Sequence, residues 1–97
     1  MVRLISVLPS DSKTKKYIAE FKLDNGKIKK VNFGQKNASD YTINKDKKRR
    51  DSYRARHKKD LETKDPTRPG YLSYFLLWGE STSLKQNIKT FKSKFNV

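Results

Sequence analysis

The chain has 97 residues and no cysteine, and its 24 Lys and Arg outnumber ten Asp and Glu, which gives a formal net charge of +14. This length predicts one domain over residues 1–97, and the lack of cysteine excludes disulfides and thiolate metal sites. So strong a positive charge attracts polyanions, of which nucleic acid is the commonest in a reducing compartment. The longest apolar run, residues 71–78, is too short to cross a bilayer, and no signal peptide is apparent. We therefore expect no membrane partner and no secretion.

The N-terminal part predicts a small antiparallel sheet. Residues 2–8 are rich in β-branched side chains and are stopped by Pro9, which indicates a strand. Residues 16–33 alternate between apolar and polar, as in a β-hairpin, around the turn at residues 24–26. The sheet is expected to comprise this N-terminal strand and the hairpin.

The register of the hairpin follows from its apolar face. A two-residue turn would place polar residues opposite apolar ones, whereas a three-residue turn pairs Tyr17 with Phe33 and Ala19 with Val31. We therefore predict the three-residue turn, with Gly26 in the left-handed position of a bulge.

A basic segment follows a polar loop and a short predicted strand at residues 41–43. Residues 45–59 contain nine Lys or Arg and two Asp, a net charge of +7. Residues 45–61 lack Gly, Pro and β-branched side chains, which favours a helix capped by Asn44 or Ser39. Helical spacing places Tyr53, His57 and Leu61 on one face. It places another group together on a basic face, namely Lys45, Lys48, Arg49, Arg56 and Lys59.

Two further helices are predicted in the C-terminal part. Residues 71–78 are apolar nearly all round, which indicates a helix that is buried or shared with a partner. Residues 84–95 have an amphipathic spacing after Ser83, which opens a capping box with Gln86. The predicted fold class is therefore α+β, a small antiparallel sheet followed by three helices at about 45–61, 71–78 and 84–95.

Three stretches are distinctive as a set, namely "SDYTINKDKKRRDSYRARHKKD" (39–60), "DPTRPGYLSYFLLWG" (65–79) and "STSLKQNIKTFKSKFN" (81–96). Together they resemble a family of small basic, largely uncharacterised proteins of large nucleocytoplasmic DNA viruses. Marseillevirus-, mimivirus- and phycodnavirus-like genomes carry this family, and residues 1–14 lie outside the resemblance. The resemblance implies a viral source, a DNA-related or virion role, and a location in the virion or the infected host cell. It brings no catalytic motif.

The basic side chains are the strongest candidates for a binding site. We predict phosphate contacts from two groups. The first is Lys45, Lys48, Arg49, Arg50, Arg54, Arg56, Lys58 and Lys59, and the second is Lys85, Lys89 and Lys92. The alternative for such a charge run is a solvated helix face.

Other candidate residues favour structural roles. His57 is the only histidine and is predicted to be a partly buried, hydrogen-bonded side chain rather than a base or ligand. Tyr53, Tyr71, Tyr74 and Trp78 could stack on bases, but core packing is favoured. The triplet Glu20-Phe21-Lys22 is similar to the Glu-x-Lys pair of some nucleases, yet no clustered carboxylates accompany it. We expect no enzymatic activity, no metal and no cofactor.

These observations predict a non-enzymatic protein that binds double-stranded DNA mainly through its phosphate backbone, in genome packaging or organisation. RNA carries the same charge and is a second candidate partner. The alternative function is a virion structural or interaction protein whose basic surface binds acidic partners. A homodimer through residues 71–78 would cover their apolar surface, whereas in a monomer the same segment would be the central helix.

Overall fold

Residues 2–97 are described by a computed structural model with a three-stranded antiparallel sheet and, after it, the helices. The strands are β1 (Arg3–Pro9), β2 (Lys15–Lys22) and β3 (Ile28–Gln35), paired in the order β1-β2-β3. The α-helices are α1 (Tyr41–Asn44), α2 (Lys47–His57), α3 (Pro69–Leu72) and α4 (Leu84–Phe95). A 3-10 helix, Lys58–Thr63, continues α2, and a π-helix, Ser73–Leu77, continues α3. The α+β prediction is confirmed.

The hairpin has the predicted register. Tyr17 pairs with Phe33, Ala19 with Val31 and Phe21 with Lys29. The Gly26 amide donates to the Leu23 carbonyl at 2.9 Å, and Gly26 has a φ of 83°. The three-residue turn with a left-handed glycine is therefore confirmed, because burial of the apolar face outweighed the local preference for a shorter turn.

One face of the sheet carries the core. Ala19, Phe21 and Phe33 are completely buried, and the helices supply Leu72, Leu76 and Phe91 against them. Strand β1 changes register between Leu4 and Ser6, which leaves Ile5 half exposed while Leu4 stays buried. The outer face of the sheet carries more polar side chains.

Two predictions around the basic segment are wrong. Tyr41–Asn44 is a helical turn and not a strand, because the buried Asp40 carboxylate accepts a hydrogen bond from the Thr42 amide and caps it. The predicted helix 45–61 is confirmed as α2 and its 3-10 continuation, but its start and its predicted caps are wrong. Lys45 adopts a left-handed conformation with a φ of 54°, so a new helix begins after it, with Asp46 as its N-cap. The caps are therefore two Asp residues, and neither Ser39 nor Asn44.

The apolar segment is buried within a single chain. Its helix begins at Pro69, two residues earlier than predicted, and widens to a π-helix in which the Trp78 amide donates to the Ser73 carbonyl at 3.1 Å. Tyr71, Leu72 and Leu77 are among its buried members. The apolar surface that suggested a homodimer is thus covered by the sheet and α4, and the homodimer stays a prediction without that support.

Helix α4 has the predicted bounds, Leu84–Phe95. The Ser83 hydroxyl accepts from the Gln86 amide at 3.2 Å, whereas the Gln86 side chain turns to Thr90 and does not complete the capping box. No helix within residues 2–97 is long and apolar enough to cross a membrane.

Candidate nucleic-acid interface

Helix α2 has an inward and an outward face. Its inward face carries Arg50, Tyr53, Arg54 and His57, all partly buried. Arg50 lies over the Tyr41 ring at 5.1 Å and pairs with Asp51, and Arg54 lies over the Tyr74 ring at 4.6 Å. Both guanidinium groups are therefore engaged within the chain, although the sequence predicted them as phosphate ligands.

Three stacked rings join α2 to the core. The Tyr53 ring lies between His57, with centroids 4.1 Å apart, and Trp78, with centroids 4.4 Å apart. Trp78 is buried at the end of the π-helix, and His57 is the more exposed end of this aromatic column. The predicted structural roles of Tyr53 and His57 agree with this placement.

The pKa of Tyr53 reflects its position in the column. Burial raises the pKa of its phenol above the usual value, and the nearby Asp60 carboxylate raises it further. A side-chain hydrogen bond with Ser73 and the charge of Arg56 act in the opposite direction. Tyr53 therefore stays a neutral phenol at physiological pH.

The outward face of α2 borders a cleft of about 650 Å³. Its lining combines Lys48, Arg49 and Arg56 with the small side chains Ser52 and Ala55, and Trp78 forms part of it. The one carboxylate there, Asp46, accepts hydrogen bonds from the amides of Lys48 and Arg49. The basic face of α2 is therefore defined by Lys48, Arg49, Ser52 and Arg56, and it keeps three of the five cations predicted from helical spacing.

A second cleft of about 500 Å³ lies on the other side of Arg56, toward the end of β3. Arg56, His57 and Lys59 line it from the helix side, and the loop between β3 and α1 lines it from the sheet side. Lys16 and Asp40 form an ion pair of 2.6 Å in its wall. The two clefts share Arg56 and Trp78 and therefore adjoin.

The remaining predicted residues are not all on the basic face. Lys45 lies outside α2, at the end of α1, and Lys58 and Lys59 belong to the 3-10 helix, all three exposed. The predicted 45–61 helix would have aligned Lys45 and Lys59 with Arg49, but the left-handed Lys45 and the tighter 3-10 helix change their directions.

The C-terminal lysines form a separate patch. Lys92 borders a cleft with Arg3 and Ile5 of β1, whereas Lys94, on the opposite side of α4, borders one with Arg54. Helical spacing places Lys85 and Lys89 on the Lys92 side. The two predicted basic groups therefore lie on different sides of the protein.

Sequence reasoning missed Lys16 at this site and favoured only a core role for Trp78. Lys16, on β2, precedes the first residue of α2 by 31 positions, so no local pattern connects them. Trp78 was predicted as core, and its contact with both clefts depends on the π-helix that ends at Leu77.

Within residues 2–97, no group of three or more His, Cys, Asp or Glu is arranged to hold a metal ion. Glu20 of the predicted nuclease-like triplet pairs across the sheet with Ser6 and Lys30, on the outer face.

The fold and the site together define a small basic α+β protein with one cation-rich helix beside an aromatic column. Residues 5–57, just over half of the chain, match a family model described as a family of unknown function, DUF5754, and the chain belongs to this family. The match spans most of β1 through the last residue of α2, so it contains the sheet and the basic face. No curated protein and no solved structure matches the chain.

Proposed function

We propose that the protein is a non-enzymatic DNA-binding protein that contacts the phosphate backbone of the duplex through the basic face of α2. The proposal rests mainly on the cations of this face, which are exposed and, in the part of the chain that the structure describes, unpaired. Lys48, Arg49 and Arg56 are exposed and, within residues 2–97, form no ion pair. Arg50 on the same helix shows the contrast, because its guanidinium is committed to Asp51 and Tyr41.

The shape of this face suits phosphates better than base edges. Helix α2 has 11 residues and is about 16 Å long, so it can follow several successive phosphates of one strand. Base readout uses a few polar side chains set among neutral neighbours, whereas cations dominate this face. Contact with little sequence preference is the expected mode.

The resemblance to proteins of large DNA viruses supports viral genomic DNA as the partner. In a virion or an infected cell, a small protein with a net charge of +14 would neutralise and compact genomic DNA during packaging or organisation. RNA has the same phosphate chemistry, so the binding experiment must compare the affinity for RNA with the affinity for DNA. A structural role with acidic virion proteins is the competing function.

The salt dependence of binding tests the proposal. If the three cations of the basic face neutralise about three phosphates, the logarithm of the affinity for a random duplex should fall against the logarithm of salt concentration with a slope of about −3. Fluorescence anisotropy of labelled DNA and RNA duplexes measures this slope and the preference between them. An affinity that does not change with salt would contradict backbone contact, and the absence of binding at low salt would favour acidic proteins as partners.

A further inference from the structure

The cleft beside β3 offers a different chemistry from the basic face. Its volume of about 500 Å³ is within the usual range of small-ligand pockets, roughly 300–1,000 Å³. Its lining combines cations, namely Arg56 and Lys59, with the aromatic column of His57, Tyr53 and Trp78. Phosphate and a flat ring are the two ligand features that such a lining recognises.

The aromatic part of the cleft ends in an accessible ring. One face of His57 is stacked on Tyr53, and 41% of its side chain is exposed. The Asp60 carboxylate lies 3.1 Å from its Nδ1 and fixes the orientation of the ring. A nucleobase can extend this column, because every base has a π face and base–aromatic stacking tolerates any sequence.

The cationic part of the cleft has charge available for a phosphate. Arg56 and Lys59 are exposed and form no ion pair within residues 2–97. The buried carboxylate in the wall is already satisfied, because Lys16 Nζ lies 2.6 Å from one Asp40 oxygen and the Thr42 amide donates to the other at 2.9 Å. Asp40 therefore opposes an incoming phosphate weakly.

We propose that this cleft binds a single unpaired nucleotide, with its phosphate at Arg56 and Lys59 and its base stacked on His57. Arg56 lines both clefts, so a strand held on the basic face of α2 can direct an unpaired end into this one. For an unpaired end of a DNA strand, the inference rests on the proposed DNA binding. The same nucleotide chemistry is also present in a free nucleoside monophosphate, and the test separates the two sources.

The first arm of the test uses free ligands. Trp78 is the only tryptophan and lies in the same column, so its fluorescence reports ligands that stack on His57. Titration with deoxyadenosine 5′-monophosphate should give an affinity about tenfold higher than inorganic phosphate or deoxyadenosine alone. His57→Ala should abolish this advantage, and His57→Phe, which keeps a ring, should restore it.

The second arm uses DNA. A duplex with a short 3′ overhang should bind about fivefold more tightly than the blunt duplex, and His57→Ala should remove the difference while blunt-duplex affinity is unchanged. The nucleotide site would be overturned if the two duplexes bind equally well and the mononucleotide binds no better than phosphate. That outcome would leave the proposed backbone binding intact. Mononucleotide binding without duplex binding would retain the site, assign it to free nucleotides and overturn the proposed function.

Discussion

The Tyr53 ring and the Trp78 indole lie face to face, with centroids 4.4 Å apart and planes 9° from parallel. This stack attaches the basic helix to the buried end of the π-helix. Since α2 has no fully buried residue, its position depends on such edge contacts more than on the core. The geometry of the basic face therefore depends on this aromatic pair together with the cation–π contacts of Arg50 and Arg54.

Replacement of Tyr53 by Leu should loosen α2. The variant loses two ring contacts, each worth about 0.5–1.5 kcal/mol, and the phenol hydroxyl, worth about 1 kcal/mol, so the free energy of unfolding should fall by about 3 kcal/mol. Tyr53→Phe is the matched control, because it keeps both stacks and removes only the phenol hydroxyl, at a cost of about 1 kcal/mol. Urea unfolding followed by Trp78 fluorescence measures both. Equal losses in the two variants would show that the rings contribute little.

The parts of the fold that were predictable are those in which burial and local pattern agree. The hairpin register followed from Ala19, Phe21 and Phe33 on one face, and α4 followed from its apolar spacing and Ser83. The break at Lys45 was not predictable in this way, since lysine is a good helix former and takes the left-handed conformation only because α1 ends there. Asp46 was a visible cap signal that the continuous charge pattern obscured.

The candidate site was only half predictable for a similar reason. Spacing within a helix identified Lys48, Arg49 and Arg56, but it could not reveal that Arg50 and Arg54 lie over aromatic rings from other elements. Those cation–π contacts join residues far apart in sequence. Tertiary contacts therefore decide which cations of a uniformly basic segment remain free.

Charge reversal on the basic face should weaken DNA binding. In Arg49→Glu with Arg56→Glu, two attractive contacts become repulsive, and the affinity should fall by at least about a hundredfold at low salt, with a shallower salt dependence. The matched control is Lys22→Glu with Lys27→Glu, which makes the same charge change at the exposed far end of the hairpin. The control should change affinity far less, because Lys22 is six strand residues, about 20 Å, from Lys16 in the cleft that Arg56 lines, which exceeds a Debye length of about 10 Å. Similar losses would indicate nonspecific attraction by net charge.

A side chain at Gly79 should strongly destabilise the fold. A Cβ there would lie 2.2 Å from the Phe75 carbonyl oxygen and 2.9 Å from Asn87 Cγ, so the backbone of the π-helix would have to move. Gly79→Ala should cost about 3 kcal/mol. In Gly26→Ala the new Cβ meets nothing within 4 Å, and the positive φ alone should cost about 1–2 kcal/mol. Chemical denaturation ranks the two variants, and a larger loss for Gly26→Ala would contradict the packing argument.

The buried Asn87 side chain ties the end of the π-helix to α4. Its Nδ2 donates to the carbonyls of Leu76 at 3.0 Å and Ser81 at 2.8 Å, and its Oδ1 accepts from the Ser81 amide. Asn87→Leu leaves these groups unpaired and should cost about 3 kcal/mol. Asn87→Asp places a carboxylate oxygen against two carbonyls, so this variant should be less stable at pH 7 than at pH 4. A pH-independent difference from wild type would show that the amide donors are dispensable.

The Asp65 carboxylate should contribute stability that acid removes. The Thr67 hydroxyl donates a hydrogen bond to this carboxylate at 2.7 Å and is the main cause that lowers the pKa of Asp65. The hydrogen bond from the Thr67 amide and the charges of Lys29 and Arg68 lower this pKa further, whereas partial burial raises it. Because the folded-state pKa lies below the unfolded value, about 3.9, the contribution is complete above that pH and disappears as the pH falls through the folded-state pKa. Asp65→Asn should therefore be less stable than wild type at pH 7, and the difference should shrink below about pH 4.

Asp11→Asn removes the same charge from an exposed loop and controls for net charge. Urea midpoints measured from pH 7 to about pH 3 test this, and a difference that stays constant over that range would assign the loss to geometry and not to the ionised carboxylate.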